Sequence, residues 1–180
     1  MLKLLGIQLL LFLQFVHSLY NATPSNLSYC QSPERQTCTF YNNCLEMAHP
    51  CGANGYAMNF GSYYCKRFAA FANSFSPNGE EWMYNTMQCL QLQLVPVLNN
   101  ATISCSQIKE YAFASHSKCY VHSGGPSICT LSPFTDWLTV LRVIGVTQLF
   151  KPQIIHNGFS ILGECLPLWL QRLQELFFSH

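Results

Sequence analysis

Charge is what this sequence has least of. Of its 180 residues, 9 are Lys or Arg and 8 are Asp or Glu, so charged residues make up 9%, against a typical figure of about 25%. Asp136 is the only aspartate. A formal net charge of +1 leaves no surplus of cations to displace counterions from a nucleic acid or to hold the chain on an anionic lipid surface. Long apolar runs are missing too. The stretch from Leu4 to Val16 is too short to span a bilayer comfortably, and it contains Gln8 and Gln14. No phosphate loop, calcium loop or Gly-x-Ser-x-Gly turn is present. Scarce charge does not mean disorder here, because 49% hydrophobic and 14% aromatic residues can fill a core. One domain is the expectation at this length.

What the chain does have is cysteine, 10 in all. Residues 1–18 carry Lys3, an apolar stretch, and Val16 and Ser18 at the end, which is the pattern of a secretory signal peptide cleaved after Ser18. A secreted chain with an even cysteine count is expected to be disulfide-bonded. Cys30, Cys38, Cys44, Cys51, Cys65, Cys89, Cys105, Cys119, Cys129 and Cys165 run through the whole mature chain, so no boundary between two stapled domains is visible. Ten cysteines allow about 945 full pairings, and spacing alone does not choose among them. Asn21-Ala22-Thr23, Asn26-Leu27-Ser28 and Asn100-Ala101-Thr102 are glycosylation sequons, which suit a secreted, extracellular protein.

The organisation read from the chain is a polar, glycosylated leader at 19–29 and one domain at 30–180. Cys30 to Gly61 is cysteine-dense and turn-rich, with some helix expected between Cys30 and Cys44. From Gly61 onward helical spacing takes over. Tyr64, Cys65, Phe68, Phe71, Ala72 and Phe75 recur at intervals of three and four. Ser76-Pro77 is a cap followed by proline at the first helical position, with Glu80 and Glu81 near the positive end of the dipole. A stripe from Trp82 and Met83 through Met87 and Leu90 to Leu94 follows, ending near Pro96. A third helix is expected from about Ser104 to Lys118, with Cys105, Ile108, Ala112, Ser115 and Cys119 on its inner face. Ser132-Pro133 repeats the cap signal, with Asp136 in the first turn. Trp137, Leu138, Leu141, Ile144 and Leu149 form its stripe as far as Lys151-Pro152. A last helix carries Phe159, Leu162, Cys165 and Leu166, then Pro167, Trp169, Leu173 and Phe177. The fold class expected is all-α: a disulfide-stapled helical domain with a turn-rich N-terminal segment.

Two features together resemble a known family. One is the run Cys44-Leu45-Glu46, Cys51, Gly55-Tyr56 and Tyr64-Cys65-Lys66-Arg67-Phe68, continuing with Phe75, Gly79, Trp82, Thr86 and Cys89. The other is the spacing of Cys65, Cys89, Cys105 and Cys119, the last followed by Tyr120. Ile161-Leu162-Gly163-Glu164-Cys165 adds a third segment. This is similar to the stanniocalcin family of secreted glycoprotein hormones, over Cys30 to Cys165. The resemblance implies the pairs Cys30–Cys44, Cys38–Cys65, Cys51–Cys105, Cys89–Cys119 and Cys129–Cys165. It implies hormone-like signalling without catalysis, effects on calcium and phosphate balance, and an extracellular receptor or secreted metalloprotease as partner. The family's further cysteine, which joins two chains, has no counterpart after Cys165. A covalent homodimer is therefore not expected, while a non-covalent one stays open.

Other chemistry has a plainer explanation. His116-Ser117-Lys118-Cys119-Tyr120 is similar to the His-Asp-x-Cys-Tyr helix of secreted phospholipases, but Ser117 replaces the carboxylate that helps hold calcium. A small secreted hydrolase using His116 is the alternative function, and an extracellular structural or interaction module a further one. His116, Cys119 and His122 have metal-like spacing, but a disulfide would deny Cys119 its thiolate. Glu80 and Glu81 are adjacent and point about 100° apart on a helix, and Asp136 is accounted for as a first-turn residue rather than a triad member. No metal or cofactor is expected. Leu166 to Phe178 is amphipathic and reads either as packing or as a contact surface.

Overall fold

The structure is a computed structural model that describes residues 6–14 and 28–178. Residues 6–14 form a helical run exposed along its length, and among the described residues no helix is long and apolar enough to cross a membrane. The boundary at Ser18, most of the leader, Asn21 and Asn26 lie outside the described residues. The longer helices are α1 (Tyr63–Ala70), α2 (Pro77–Leu94), α3 (Cys105–Ala114), α4 (His116–Val121), α5 (Leu138–Ile144) and α6 (Pro152–Phe178). Short turns, three of them wide π turns at Tyr41–Leu45, Ala57–Ser62 and Pro133–Trp137, join them. No strand occurs among the described residues, so the domain is all-α.

The serine caps form where the sequence places them. Ser76, Ser104 and Ser132 each accept a backbone N–H two or three residues into the following turn, from Gly79, Gln107 and Thr135. At Ser104 the Gln107 side chain returns the favour to the Ser104 N–H at 2.9 Å, completing a capping box.

Helix α2 is the axis of the domain, burying Trp82, Met83, Thr86, Met87, Gln91 and Leu94. The turn-rich segment is held against it by polar side chains. Gln88 donates to the Pro33 carbonyl, Gln91 to the Thr37 carbonyl (both 2.9 Å), and Arg35 to Asn85 at 2.8 Å. On its other side Trp82 donates to the Tyr120 carbonyl at 2.9 Å and Cys89 is bonded to Cys119, fixing α4.

Three sequence expectations need correction. The third helix is two, α3 and α4, broken at Ser115. There the Ala112 carbonyl receives the Ser115 N–H, the Ser115 hydroxyl at 2.7 Å and His116 Nδ1 at 2.8 Å. Side chains that bond to a carbonyl three or four residues back compete with the helical ladder. Cys105 is exposed rather than inner. The stripe of α5 is also displaced: Asp136, Thr139, Val140 and Val143 are buried, while Leu138 and Leu141 face out. The π turn at Pro133–Trp137 rotates the face that follows it. That helix stops at Gly145, whose φ of +83° favours glycine, and a short turn (Val146–Leu149) precedes α6.

Candidate functional surface and the His116 cavity

Five disulfides are present and no cysteine is free. They join Cys30 to Cys44, Cys38 to Cys65, Cys51 to Cys105, Cys89 to Cys119, and Cys129 to Cys165, with Cα–Cα distances of 5.2–5.8 Å. These are the partners that the resemblance implies. The first three interlace in sequence and tie the turn-rich segment to α1 and α3. The last holds α6, whose inner edge is also anchored by buried Ile161 and by Trp169, which donates to the Cys129 carbonyl at 2.7 Å.

The outer face of α6 is an apolar surface left uncovered. Ile155, Phe159, Leu162, Leu166, Leu170, Leu173 and Phe177 are exposed, from 42% at Ile155 to 73% at Phe177. At 100° per residue all seven fall within an arc of about 80°, turned about 100° from the anchoring edge. No charged residue falls inside that arc. Together they present on the order of 600 Å² of apolar surface, the upper end of what monomers leave exposed. The pattern of apolar positions in the sequence does not separate this face from the core, because Phe159, Leu162 and Cys165 read as one stripe and only Cys165 is buried.

His116 stands elsewhere, in the wall of an aromatic cavity of about 80 Å³ lined also by Tyr41, Tyr56, Phe60, Phe113 and Tyr120. Its ring stacks on Phe113 at 5.2 Å and lies 5.6 Å from the Tyr120 ring. Since a carbonyl can only accept, Nδ1 carries the proton toward Ala112 and Nε2 is left as an acceptor. Burial among rings lowers the imidazole pKa to about 4, against a smaller opposing effect of the Ala112 bond. Burial also raises the Tyr120 phenol to about 12 and pushes Tyr41 and Tyr56 up. No carboxylate lines this cavity, so nothing there orients His116 as the Asp of a hydrolase would.

The other candidates separate. Cys119 is in its disulfide, and His122 lies on the surface 3.1 Å from Glu164. Among the described residues no group of three His, Cys, Asp or Glu side chains is placed to hold a metal ion. Glu80 takes its place in the first turn of α2. Asp136 is fully buried, with Oδ1 accepting from the Ser76 N–H and Oδ2 from the Ser76 hydroxyl and the Ser132 N–H. Asn100 is exposed, and its Oδ1 accepts from the N–H and hydroxyl of Thr102. The cavity went unseen in the sequence because Tyr41, Tyr56 and His116 come from three distant segments, and only the Ser115 break turns His116 inward. Comparison with family models, with curated proteins and with solved structures gave no match.

Proposed function

We propose that this chain is a secreted, glycosylated, non-catalytic signalling protein that acts by docking α6 into an apolar groove of an extracellular protein partner. The observation that carries the reading is the uncovered stripe from Ile155 to Phe177 on a helix locked to the domain by Cys129–Cys165. A helix fixed in advance loses little freedom on binding, which favours recognition by a groove. The stripe runs over residues 155–177 in six steps of three or four, the 11-residue repeat rather than the heptad, so it does not match the seam of a left-handed coiled coil. The stapled all-α scaffold, with no membrane-crossing helix among the described residues, suits an extracellular setting. The stanniocalcin-like cysteine order makes a receptor or a pappalysin-type metalloprotease the partner class, and calcium and phosphate balance the process.

The test is binding and inhibition of such a protease, alongside binding to responsive cells, by the secreted protein and by Leu166→Glu/Leu173→Glu. Both positions are exposed, so the variant keeps its melting temperature and far-ultraviolet spectrum. Loss of inhibition or cell binding by more than tenfold supports the reading. Full-strength binding by the variant, or none by the parent, overturns it. A parent that sediments as a dimer and a variant that sediments as a monomer would assign the stripe to self-association instead.

A further inference from the structure

Phe60 stands in a partition between two spaces. Inside is the aromatic cavity of about 80 Å³. Outside is a hollow of about 280 Å³ whose wall includes Lys109 and Lys151. Tyr56, Phe60, Phe113 and Ile154 belong to both walls, so side chains alone separate the two. Joined, the spaces reach the lower end of the range of small-molecule sites, roughly 300–1,000 Å³.

Each space has groups that the protein itself does not satisfy. In the outer one, Lys109 Nζ is 5.8 Å and Lys151 Nζ 5.4 Å from the centre of the Phe60 ring. Neither has a carboxylate partner; the ion pair found among the described residues is His122–Glu164. Two ammonium groups in the wall of one hollow, with no carboxylate beside either, favour an anion there. In a chain with 9 Lys and Arg in all, this convergence uses a large share of the cations. In the inner space, the hydroxyls of Tyr41 and Tyr56 (side chains 2% and 5% exposed) and of Tyr120 have no hydrogen-bond partner among the described residues, and His116 Nε2 has none either. None of these four atoms is sealed away from a molecule the size of water, so each is open to a hydrogen bond from a bound molecule. The inner groups are three donors and one strong acceptor, all neutral.

The two sets specify the two ends of one ligand. A carboxylate suits the lysines and not the interior, where no cation lies and burial disfavours charge. A hydroxyl suits the interior, because it donates to His116 Nε2 and accepts from a tyrosine. Between the ends, the ring-lined passage at Phe60 suits an apolar body. Water alone would fill the inner cavity with two or three molecules, but it leaves the paired lysines without a role. We propose that this site binds a small amphipathic carboxylate with a hydroxyl at its far end, the carboxylate at Lys109 and Lys151, the body passing Phe60 as that ring swings aside, and the hydroxyl at His116. Phe60 lies in the π turn Ala57–Ser62, a wide turn of the kind often found at binding sites. This inference is independent of the α6 docking surface.

The experiment is titration calorimetry of the secreted protein with 3-(4-hydroxyphenyl)propionate, 3-phenylpropionate and 4-ethylphenol. Saturable one-to-one binding of the first is expected, at least tenfold tighter than either relative. Lys109→Gln/Lys151→Gln changes only solvent-facing ammonium groups. It should weaken both acids tenfold or more and leave 4-ethylphenol unchanged. His116→Phe, checked by near-ultraviolet dichroism, should bring the two acids to equal affinity. No saturable binding up to millimolar concentration, equal affinity for all three compounds, or an unaffected lysine variant would overturn the proposal.

Discussion

Asp136 holds the starts of two helices at once: its carboxylate takes the Ser76 N–H at 2.8 Å, the Ser76 hydroxyl at 2.9 Å and the Ser132 N–H at 3.0 Å. The chain's sole aspartate thus ties the entry of α2 to the turn that leads into α5, 60 residues apart. Asp136→Asn keeps the shape but replaces one acceptor with a donor facing donors. A loss of about 2–4 kcal/mol is expected, as for an unsatisfied buried charged bond, read from the denaturant midpoint with the disulfides intact. Gly79 is part of the same contact, since a Cβ added there would run into the Asp136 carboxylate. Gly79→Ala should therefore destabilise the parent strongly and cost much less in Asp136→Ala, where the carboxylate is gone and only the close Phe75 ring must give way. Additive effects of the two changes would show that Gly79 and Asp136 do not share this contact.

His116 makes stability depend on pH. Its folded pKa of about 4 lies below the ordinary value of 6.5, so the unfolded chain binds more protons between those values. Stability is then full above about pH 6.5, falls as pH drops, and levels off near 4, losing at most about 3 kcal/mol. The raised phenols of Tyr41, Tyr56 and Tyr120 act at the other end. They keep their protons longer when folded, so stability declines as pH rises past 10. Denaturant midpoints across this range should show a plateau with two falling flanks. His116→Phe should remove the acid flank between pH 6.5 and 4 and leave the alkaline one, and an unchanged acid flank would show that His116 is not its source.

Much of the architecture was legible because its signals are local. Ser76-Pro77, Ser104 with Gln107, and Ser132-Pro133 each mark a helix start through bonds spanning a few residues. Faces were harder to read. Leu138 and Leu141 fit an inward stripe as well as Val140 and Val143 do, and a π turn decided between them. On α6 the apolar residues outnumber the inward places, so periodicity marked the helix and left its two faces confused. The His116 cavity was illegible for another reason. Its polar groups meet only through contacts between segments far apart in sequence.

Asn100 offers a test of compartment that is independent of partner binding. Its side chain is exposed, and the Thr102 hydroxyl donates to Asn100 Oδ1 at 3.0 Å, within the sequon itself. In a secreted chain a glycan is expected there. Endoglycosidase digestion should lower the mass of protein expressed in a glycosylating host, and Asn100→Gln should remove one glycan without changing the melting temperature. A mass at Asn100 equal to the bare peptide would count against its use.

The Cys129–Cys165 bond decides whether α6 is presented as a rigid helix. It closes a stretch of 36 residues, for which chain entropy suggests about 4 kcal/mol of stabilisation. What else holds α6 is Ile154 packed at the His116 cavity, buried Ile161, the Trp169 bond to the Cys129 carbonyl, and the surface pair His122–Glu164, the last worth under about 1 kcal/mol. Pro167 also removes one ladder bond from the middle of the helix. In Cys129→Ser/Cys165→Ser, α6 should therefore open locally before the domain unfolds. Hydrogen exchange read by mass spectrometry should show peptides from 152–178 losing protection while those from 77–94, held by Cys89–Cys119, keep theirs. If both regions lose protection together, α6 belongs to the same cooperative unit as α2. If only α6 does, partner binding should weaken in step with its opening, because the stripe must then be ordered at the moment of docking rather than before it.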